Sequence, residues 1–420
     1  MAKRNIYVYA DWQKVIGPKL MGTLTAENTR GKEVFSFEYD TEWLRSGFAQ
    51  IIDPDLQLYA GPQYLSGGKP NFGLFLDSSP DRWGRVLMQR SEAAEAKTEQ
   101  RKPNKLFETD YLLGVHDSHR MGGLRFKTDP EDPFLNDNER LASPPWTSIR
   151  ELEEISLRLE DEDAIDHPEY TQWLNMLVNP GSSLGGARPK ASVLDAENHL
   201  WIAKFPSKKD EEDLGAWEMA TYELALAAGI NMADCQARKF SSNHHTFLTK
   251  RFDRTSVGGR IHFTSAMTQL GYEDGSDATT GASYLELVDF ITNHGARVKE
   301  DLHELWRRIV FSICVSNVDD HLRNHGFLLA NEGWVLSPAY DINPVETGTG
   351  LKLNITAYEN SLDLNLAMEV HEYFRLQKNE AEKIIDSVKA SVSNWRKVAS
   401  KYGISKASQE IKAPAFNAAD

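Results

Sequence analysis

The chain has 420 residues, of which 40% are hydrophobic and 10% aromatic, and its 47 Lys+Arg stand against 62 Asp+Glu for a formal charge of −15. The apolar fraction is enough to bury a core, which excludes wholesale disorder. The acidic balance argues against unaided binding to bulk DNA, which needs a basic face to displace counterions, but leaves open a local basic patch or a DNA-binding partner.

Residues 5–60 alternate short β-like runs with turn residues. Ile6–Tyr9 and Val34–Tyr39 read as strands, and Thr29–Lys32 as a turn between strands. Residues 61–90 are rich in Gly, Pro, Asp and Arg and end in Ser79-Pro80-Asp81-Arg82-Trp83-Gly84-Arg85, a loop opening into a helix with Pro80 in its first turn. The polar stretch Glu95–Lys105 and the proline-rich Thr128–Pro145 read as flexible connections, with a boundary near residue 148. An acidic amphipathic helix follows over Thr147–Leu159 and a second over Pro168–Val178. Next come a glycine-rich loop, strands at Ala191–Leu194 and Leu200–Phe205, and a helix from Leu214 to Ala228 closed by Gly229.

Beyond residue 260 the chain reads as mostly helical. Leu302, Leu305, Trp306, Ile309, Val310 and Ile313 recur at three and four residues, one buried helix face. A hairpin is expected over Phe327–Leu329 and Trp334–Leu336, helices over Leu362–Tyr402, and a frayed tail at the end. Met1–Trp12 lacks the apolar core of a signal peptide, and no run reaches the ~18 apolar residues of a membrane-spanning helix. The two cysteines, Cys235 and Cys314, both in apolar runs that read as helix, cannot make a disulfide framework. A soluble protein of the reducing cytoplasm is the expectation.

Four signals occur in a fixed order. Gly181, Gly185 and Gly186 form a glycine-rich turn between helix and strand, where backbone N–H groups can approach phosphate oxygens; among 28 glycines such a cluster alone says little. Lys204 stands in an apolar strand, where an unpaired lysine is costly, and Glu218, 14 residues on, is a suitable partner in the next helix. Asp319 and Asn324 are spaced as the base and metal ligand of a kinase catalytic loop, with Arg323 placed to stabilise charge on a transferring phosphoryl group. Asp341, 22 positions after Asp319 and beyond the hairpin, sits where a second carboxylate would hold Mg²⁺ across ATP phosphates. Each signal alone has an ordinary reading as a loop, a surface lysine, a helix-capping polar segment or a turn. Their joint order points to phosphoryl transfer, in which cations and backbone amides neutralise a triphosphate while one carboxylate activates an acceptor hydroxyl. A zinc pair at His321 and His325 lacks the glutamate of H-E-x-x-H and a long helix to carry it. His244-His245 reads as a solvated loop, and Trp83, Trp217 and Trp306 as core.

These residues resemble the HipA family of serine/threonine kinases, toxins of bacterial toxin–antitoxin pairs. The resemblance rests on Ser79–Arg85, Ser183–Lys190, Arg251–Arg254, Asp319–Asn324 and Pro338–Asp341, and spans nearly the whole length. It implies an α+β, two-lobed protein-kinase-like fold with a β-rich N-terminal module over 1–148, small-lobe elements over 149–255, a helical lobe over 256–405 and a tail over 406–420. It implies Asp319 as catalytic base and Asn324 and Asp341 as Mg²⁺ ligands. Nucleotide contacts would come from Gly185, Gly186, Ala187, Arg188, Pro189, Lys190, Lys204, Glu218, Lys250, Arg251, Phe252, His321, Leu322, Arg323, Asn324, Tyr340 and Asp341. Ser183, or its neighbour Ser182, matches the serine that family members autophosphorylate to silence themselves. Arg323 replaces a frequent Lys and keeps its charge; Arg188-Pro189 replaces the Gln-Glu of some members, and Pro189 restricts the backbone. Asp320 adds a second carboxylate, but the spacing favours Asp319.

The resemblance further implies ATP and Mg²⁺ as cofactors, a HipB-like helix-turn-helix antitoxin, operator DNA bound through that antitoxin, and a protein acceptor such as an aminoacyl-tRNA synthetase, with growth arrest as the outcome. Two other classes compete: a non-catalytic antitoxin-binding co-repressor and a small-molecule phosphotransferase. The intact Lys204, Asp319, Asn324 and Asp341 favour an active kinase, and the long N-terminal module favours a protein acceptor.

Overall fold

The structure, a computed structural model, describes residues 3–65, 68–139, 142–177, 186 and 188–419. It divides into two compact units, Met1–Lys208 with Lys250–Thr264, and Lys209–Thr249 with Ser265–Asp420.

In the first unit, strands β1 (Lys3–Ala10), β2 (Lys19–Thr29), β3 (Lys32–Tyr39), β4 (Gln63–Tyr64) and β5 (Leu124–Lys127) form an antiparallel sheet in the order β4-β3-β2-β1-β5. Alternation sets its buried face: Ile6 and Val8, Leu24 and Ala26, Phe35 and Phe37, and Phe126 are all buried. Gly22 lies where a Cβ would come 2.3 Å from the Glu38 carbonyl oxygen, so the β2–β3 approach demands glycine. The expected turn at Thr29–Lys32 connects β2 to β3, and β2 is a strand the sequence reading did not name. Helices α1 (Thr41–Arg45), α2 (Gly73–Asp77), α3 (Arg82–Thr98), α4 (Glu108–Gly114), α5 (Ile149–Arg158) and α6 (Tyr170–Leu177) follow. Phe75 of α2 closes the sheet face, 5.8 Å from the Phe37 ring and 6.0 Å from Phe126.

Pro80 precedes α3 rather than standing in its first turn; Asp81 is the N-cap and accepts the Gly84 N–H at 2.9 Å. The polar run from Glu95 is helical as far as Thr98, because its alanines bury Ala94 and Ala96 while the charges face solvent. The hairpin of β6 (Lys190–Leu194) and β7 (Leu200–Lys204) is a further strand pair of this unit, with Lys190 opposite Lys204.

The second unit opens with α7 (Leu214–Ala227), stopped by Gly229 at φ +80°, and the hairpin β8 (Cys235–Arg238) and β9 (Thr246–Lys250), whose last residue crosses into the first unit. Cys235 thus lies in a strand, not a helix. After β10 (Phe263–Ser265) come α8 (Ala266–Gln269), α9 (Tyr284–His294) and α10 (Val298–Cys314). The apolar stripe of α10 is buried as its spacing predicts, and Trp306 donates to the Ala367 carbonyl at 3.0 Å. Strands β11 (Gly326–Ala330) and β12 (Gly333–Leu336) make the expected hairpin, which α10 grips: Asp301 accepts the Leu336 N–H at 2.9 Å and the buried Arg308 donates to the Ser337 carbonyl at 2.8 Å.

Helices α11 (Leu364–Val370), α12 (Lys378–Val392), α13 (Trp395–Lys401) and α14 (Lys406–Lys412) follow, then a 3-10 segment over Ala413–Ala419. The expectation of a frayed tail is overturned. Phe416 is buried and stacks on Trp395 at 4.3 Å, with Trp217 of α7 6.2 Å away, while Lys412 bridges Glu212 at 2.7 Å and Glu346 at 2.6 Å. These contacts are also why α7 groups with the later helices, so the compact units follow different lines from the segments 1–148, 149–255 and 256–405.

Candidate active site

The second unit builds a two-armed loop from residues far apart in sequence. At the end of α10, Ser316 turns the chain with φ +49°, a left-handed conformation costly for a non-glycine residue, and its hydroxyl donates to the Ala415 carbonyl at 2.8 Å. The first arm then runs from Asn317 to a 3-10 turn over Leu322–Asn324, and the second runs from Ser337, after β12, through Asp341.

The arms are stitched at several points. Tyr340 donates to the Arg323 carbonyl at 2.7 Å, the Asn343 N–H donates to Asn317 Oδ1 at 3.2 Å, and the Val345 N–H donates to the Ser316 carbonyl at 3.2 Å. Gly348 lies so near Val318 that a Cβ there would meet its side chain at 2.1 Å. Asp341 is therefore held between a residue tied to position 323 and a residue tied to position 317. It adopts φ +58°, and its carboxylate accepts from Asn343 Nδ2 at 3.3 Å.

Within the first arm, Asp319 is exposed, whereas Asp320 is buried. The Asp319 carbonyl accepts both the His321 N–H at 2.8 Å and Asn324 Nδ2 at 3.2 Å. Asp320 accepts the Tyr284 hydroxyl at 2.5 Å and lies 3.1 Å from His325 Nε2. Burial works to raise the Asp320 pKa, but His325 and the Tyr284 hydroxyl outweigh it and hold the carboxyl below its ordinary range. Burial and the neighbouring Asp320 charge push the Tyr284 phenol well above its usual value. The structure thus divides the two adjacent aspartates that the sequence spacing had to choose between: Asp320 is committed inside, and Asp319 faces out.

Asn324 Oδ1 is buried with no hydrogen-bond partner among the described residues. A buried amide oxygen left unpaired is costly, and it and the carboxylate of Asp341 are both oxygen donors of the kind Mg²⁺ prefers. The residues therefore fit a magnesium site. His321 is half-buried, with Nδ1 also unpartnered; Leu322 is core; Arg323 Nε pairs with Asp274 at 3.2 Å at the surface. His325 is engaged with Asp320 in the interior. The one His/Asp/Glu cluster with metal-like spacing among the described residues is Asp195, Glu197 and His199, in the β6–β7 turn. Glu218 is buried in α7, Trp217 and Trp306 are core, and His245 is tied to Asp213 at 2.7 Å rather than solvated.

In the first unit, Lys190 and Lys204 are buried and, being directly opposite in an antiparallel pair, share one face of the hairpin. Two adjacent buried cations need anionic compensation. Asp81, the N-cap of α3, supplies part of it at 2.8 Å from Lys190 Nζ, which also donates to the Gly186 carbonyl at 3.2 Å. Trp83 donates to the Lys190 carbonyl at 3.1 Å, so the Ser79–Arg85 motif holds the first residue of β6. Arg188 Nε donates to the Phe205 carbonyl at 2.9 Å, and Pro189 accepts the Phe205 N–H at 2.8 Å. Lys250 lies 6.0 Å from the Trp201 ring, and Phe252 packs 6.0 Å from Phe263. Arg251 is buried, with its guanidinium on Asp253 at 2.6 Å and on the His119 carbonyl at 2.9 Å. Ser182, Ser183, Gly185 and Ala187 lie outside the described residues.

Sequence reasoning did not find Asn317, Asn343, Tyr284 or the Asp81–Lys190 pair. A signal existed for Tyr284, since Ser283-x-x-Glu286 is a capping box that places it in the first turn of α9. The others have none, because lone asparagines and an aspartate more than 100 positions from its lysine form no local pattern.

An α+β fold with carboxylates and an amide gathered on a stitched loop after a buried helix is of the protein-kinase-like kind. The family model for the HipA-like C-terminal domain matches residues 182–395, half of the chain, and the protein belongs to that family. Over 179 residues it is 27% identical to a Haemophilus influenzae protein named "Putative kinase", covering 38% of this chain and 52% of the relative. Over 188 residues it is 27% identical to "Putative kinase Y4mE" of Sinorhizobium fredii, covering 43% and 40%. The chain thus spans about half the length of these curated relatives. Among solved structures it is similar to HipA from the Shewanella oneidensis MR-1 toxin–antitoxin complex of HipA, HipB and operator DNA, with TM-score 0.65, 16% identity, and coverage of 99% of this chain and 95% of that one. That likeness is one of fold. Among the described residues no helix is long and apolar enough to cross a membrane.

Proposed function

We propose that the protein is an ATP-dependent serine/threonine protein kinase of the HipA toxin type. The observation that carries this reading is the stitching of the 317–324 and 340–345 arms, which brings an exposed Asp319, an Asn324 oxygen without a partner and the strained Asp341 into one loop system. Family membership and the kinase names of the relatives support it.

In this reading Asp319 accepts the proton of the acceptor hydroxyl as the phosphoryl group transfers, a role that contributes about 10²–10⁴-fold. Asn324 and Asp341 would hold Mg²⁺, which when bound offsets charge on the phosphate oxygens. The phosphate role of Lys204 with Glu218, and of Lys190 beside Gly186, belongs to the same proposal, as does silencing by phosphorylation of Ser183. The acceptor would be a serine or threonine on a protein such as an aminoacyl-tRNA synthetase, with growth arrest as the consequence. A HipB-like antitoxin is the proposed partner, because the neighbouring HipA was solved with HipB and operator DNA.

Incubating the full chain with labelled ATP, Mg²⁺ and a cell extract tests the reading. Asp319→Ala should lose transfer at least 100-fold while retaining ATP, and Asp341→Ala should lose Mg²⁺-dependent ATP binding itself. Normal transfer by Asp319→Ala would refute the base. Phosphate mapped everywhere but Ser183 would refute the silencing step.

A further inference from the structure

Asp320 is held on its two carboxylate oxygens by two groups, Tyr284 and His325, to which the proposed chemistry assigns no role. Tyr284, the first residue of α9, is fully buried; its backbone N–H donates to the Asn354 carbonyl at 3.0 Å. The preceding Ser283 hydroxyl donates to the carbonyls of Asn354 and Thr356 at 3.1 and 3.2 Å. The tyrosine therefore has little freedom, and it aims its hydroxyl at Asp320 Oδ2. His325 lies 3.1 Å from Asp320 Oδ1, its ring stands edge-on to the Tyr284 ring at 5.6 Å, and its carbonyl accepts the Ala266 N–H at 2.8 Å. The three side chains close a triangle.

The triangle grips the loop next to the residue that must be aimed. Asp319 already has its carbonyl fixed by His321 N–H and Asn324 Nδ2. Fixing the next side chain further restricts the backbone that carries Asp319. An exposed acid on a free loop would sample many orientations, and a displacement of about 1 Å at a reacting group can cost 10²-fold in rate. The geometry points to Tyr284, Asp320 and His325 as a positioning clamp that pre-aims Asp319, with Tyr284 setting turnover rather than nucleotide affinity. This inference rests on the reading of Asp319 as the base.

The test compares the wild-type chain with Tyr284→Phe, Asp320→Asn, their double variant and Asp319→Ala. ADP release is followed with MgATP and a pool of serine- and threonine-containing peptides, and ATP binding is titrated separately. Tyr284→Phe removes one hydroxyl and keeps the ring against His325. It should lower kcat about ten-fold and leave ATP affinity within two-fold, and the double variant should be no worse than Asp320→Asn alone, because both break one unit. Unchanged kcat in Tyr284→Phe overturns the clamp, as does a fall in ATP affinity matching the fall in kcat, or additive losses in the double variant. If Tyr284→Phe does not fold, His325→Gln takes its place with the same criteria. Inactive Asp319→Ala beside fully active Tyr284→Phe refutes the clamp alone; fully active Asp319→Ala refutes the base and the clamp with it.

Discussion

Asp253 in the first unit and Asp320 in the second are both buried carboxylates, yet their surroundings answer the cost of burial differently. Asp253 accepts from the Arg251 guanidinium at 2.6 and 2.7 Å, from Arg254 at 2.6 Å and from the Gly122 N–H at 2.8 Å. The two arginines spend their other donors on the carbonyls of His119 and Arg120, so the set is saturated. Burial would lift the Asp253 pKa, but the two cations bring it down to about 2. Asp320 has a phenol and one imidazole instead. A carboxylate under two guanidiniums is a rivet. One held by a neutral hydroxyl and a single histidine carries less electrostatic commitment and can trade stability for placement of its neighbour.

The contrast can be broken most directly by Asp253→Asn. It leaves Arg251 and Arg254 buried without a counter-charge and should cost about 3–5 kcal/mol, read as a fall in the urea midpoint of the first unit's transition. A cost below about 1 kcal/mol would mean that water reaches the arginines and the rivet is not one. A smaller effect sharpens the comparison. Because the Asp253 pKa is depressed from 3.8 to about 2, its stabilisation of roughly 2 kcal/mol is fully present above pH ~4 and is lost as pH falls through about 2. Acid titration of the wild type should show this loss, and Asp253→Asn should not. Asp320→Asn should cost least, about 1–2 kcal/mol, since the Tyr284 hydroxyl can still donate to an amide oxygen. Its effect on turnover should nevertheless exceed that of Asp253→Asn. The opposite ranking in rate would erase the distinction between the two regions.

How much of this was visible beforehand depended on whether the signal was local. The α10 stripe, the β11–β12 hairpin and the Gly229 stop are patterns over a few residues, and they were legible. Arg251 shows the limit of a motif. The family resemblance of Lys250, Arg251 and Phe252 suggested a nucleotide contact, but sequence does not state where a guanidinium points, and that of Arg251 enters the Asp253 network. The C-terminal residues failed for another reason. Ala413–Ala419 carries one large apolar side chain, Phe416, too little to announce a buried element, and only the facing Trp395 and Trp217 make a slot for it. Asn317 and Asn343 were invisible because their meaning lies in each other.

The hydroxyl of Ser316 finds its acceptor, Ala415, 99 residues further along the chain. On a ribosome adding about 5–20 residues per second, the bend that launches the 317–324 arm therefore waits roughly 5–20 s for its brace to be made. Once residue 345 is made, the nascent chain holds every residue of both arms but lacks this contact at their turning point until Ala415 follows, so competence would arrive late and abruptly.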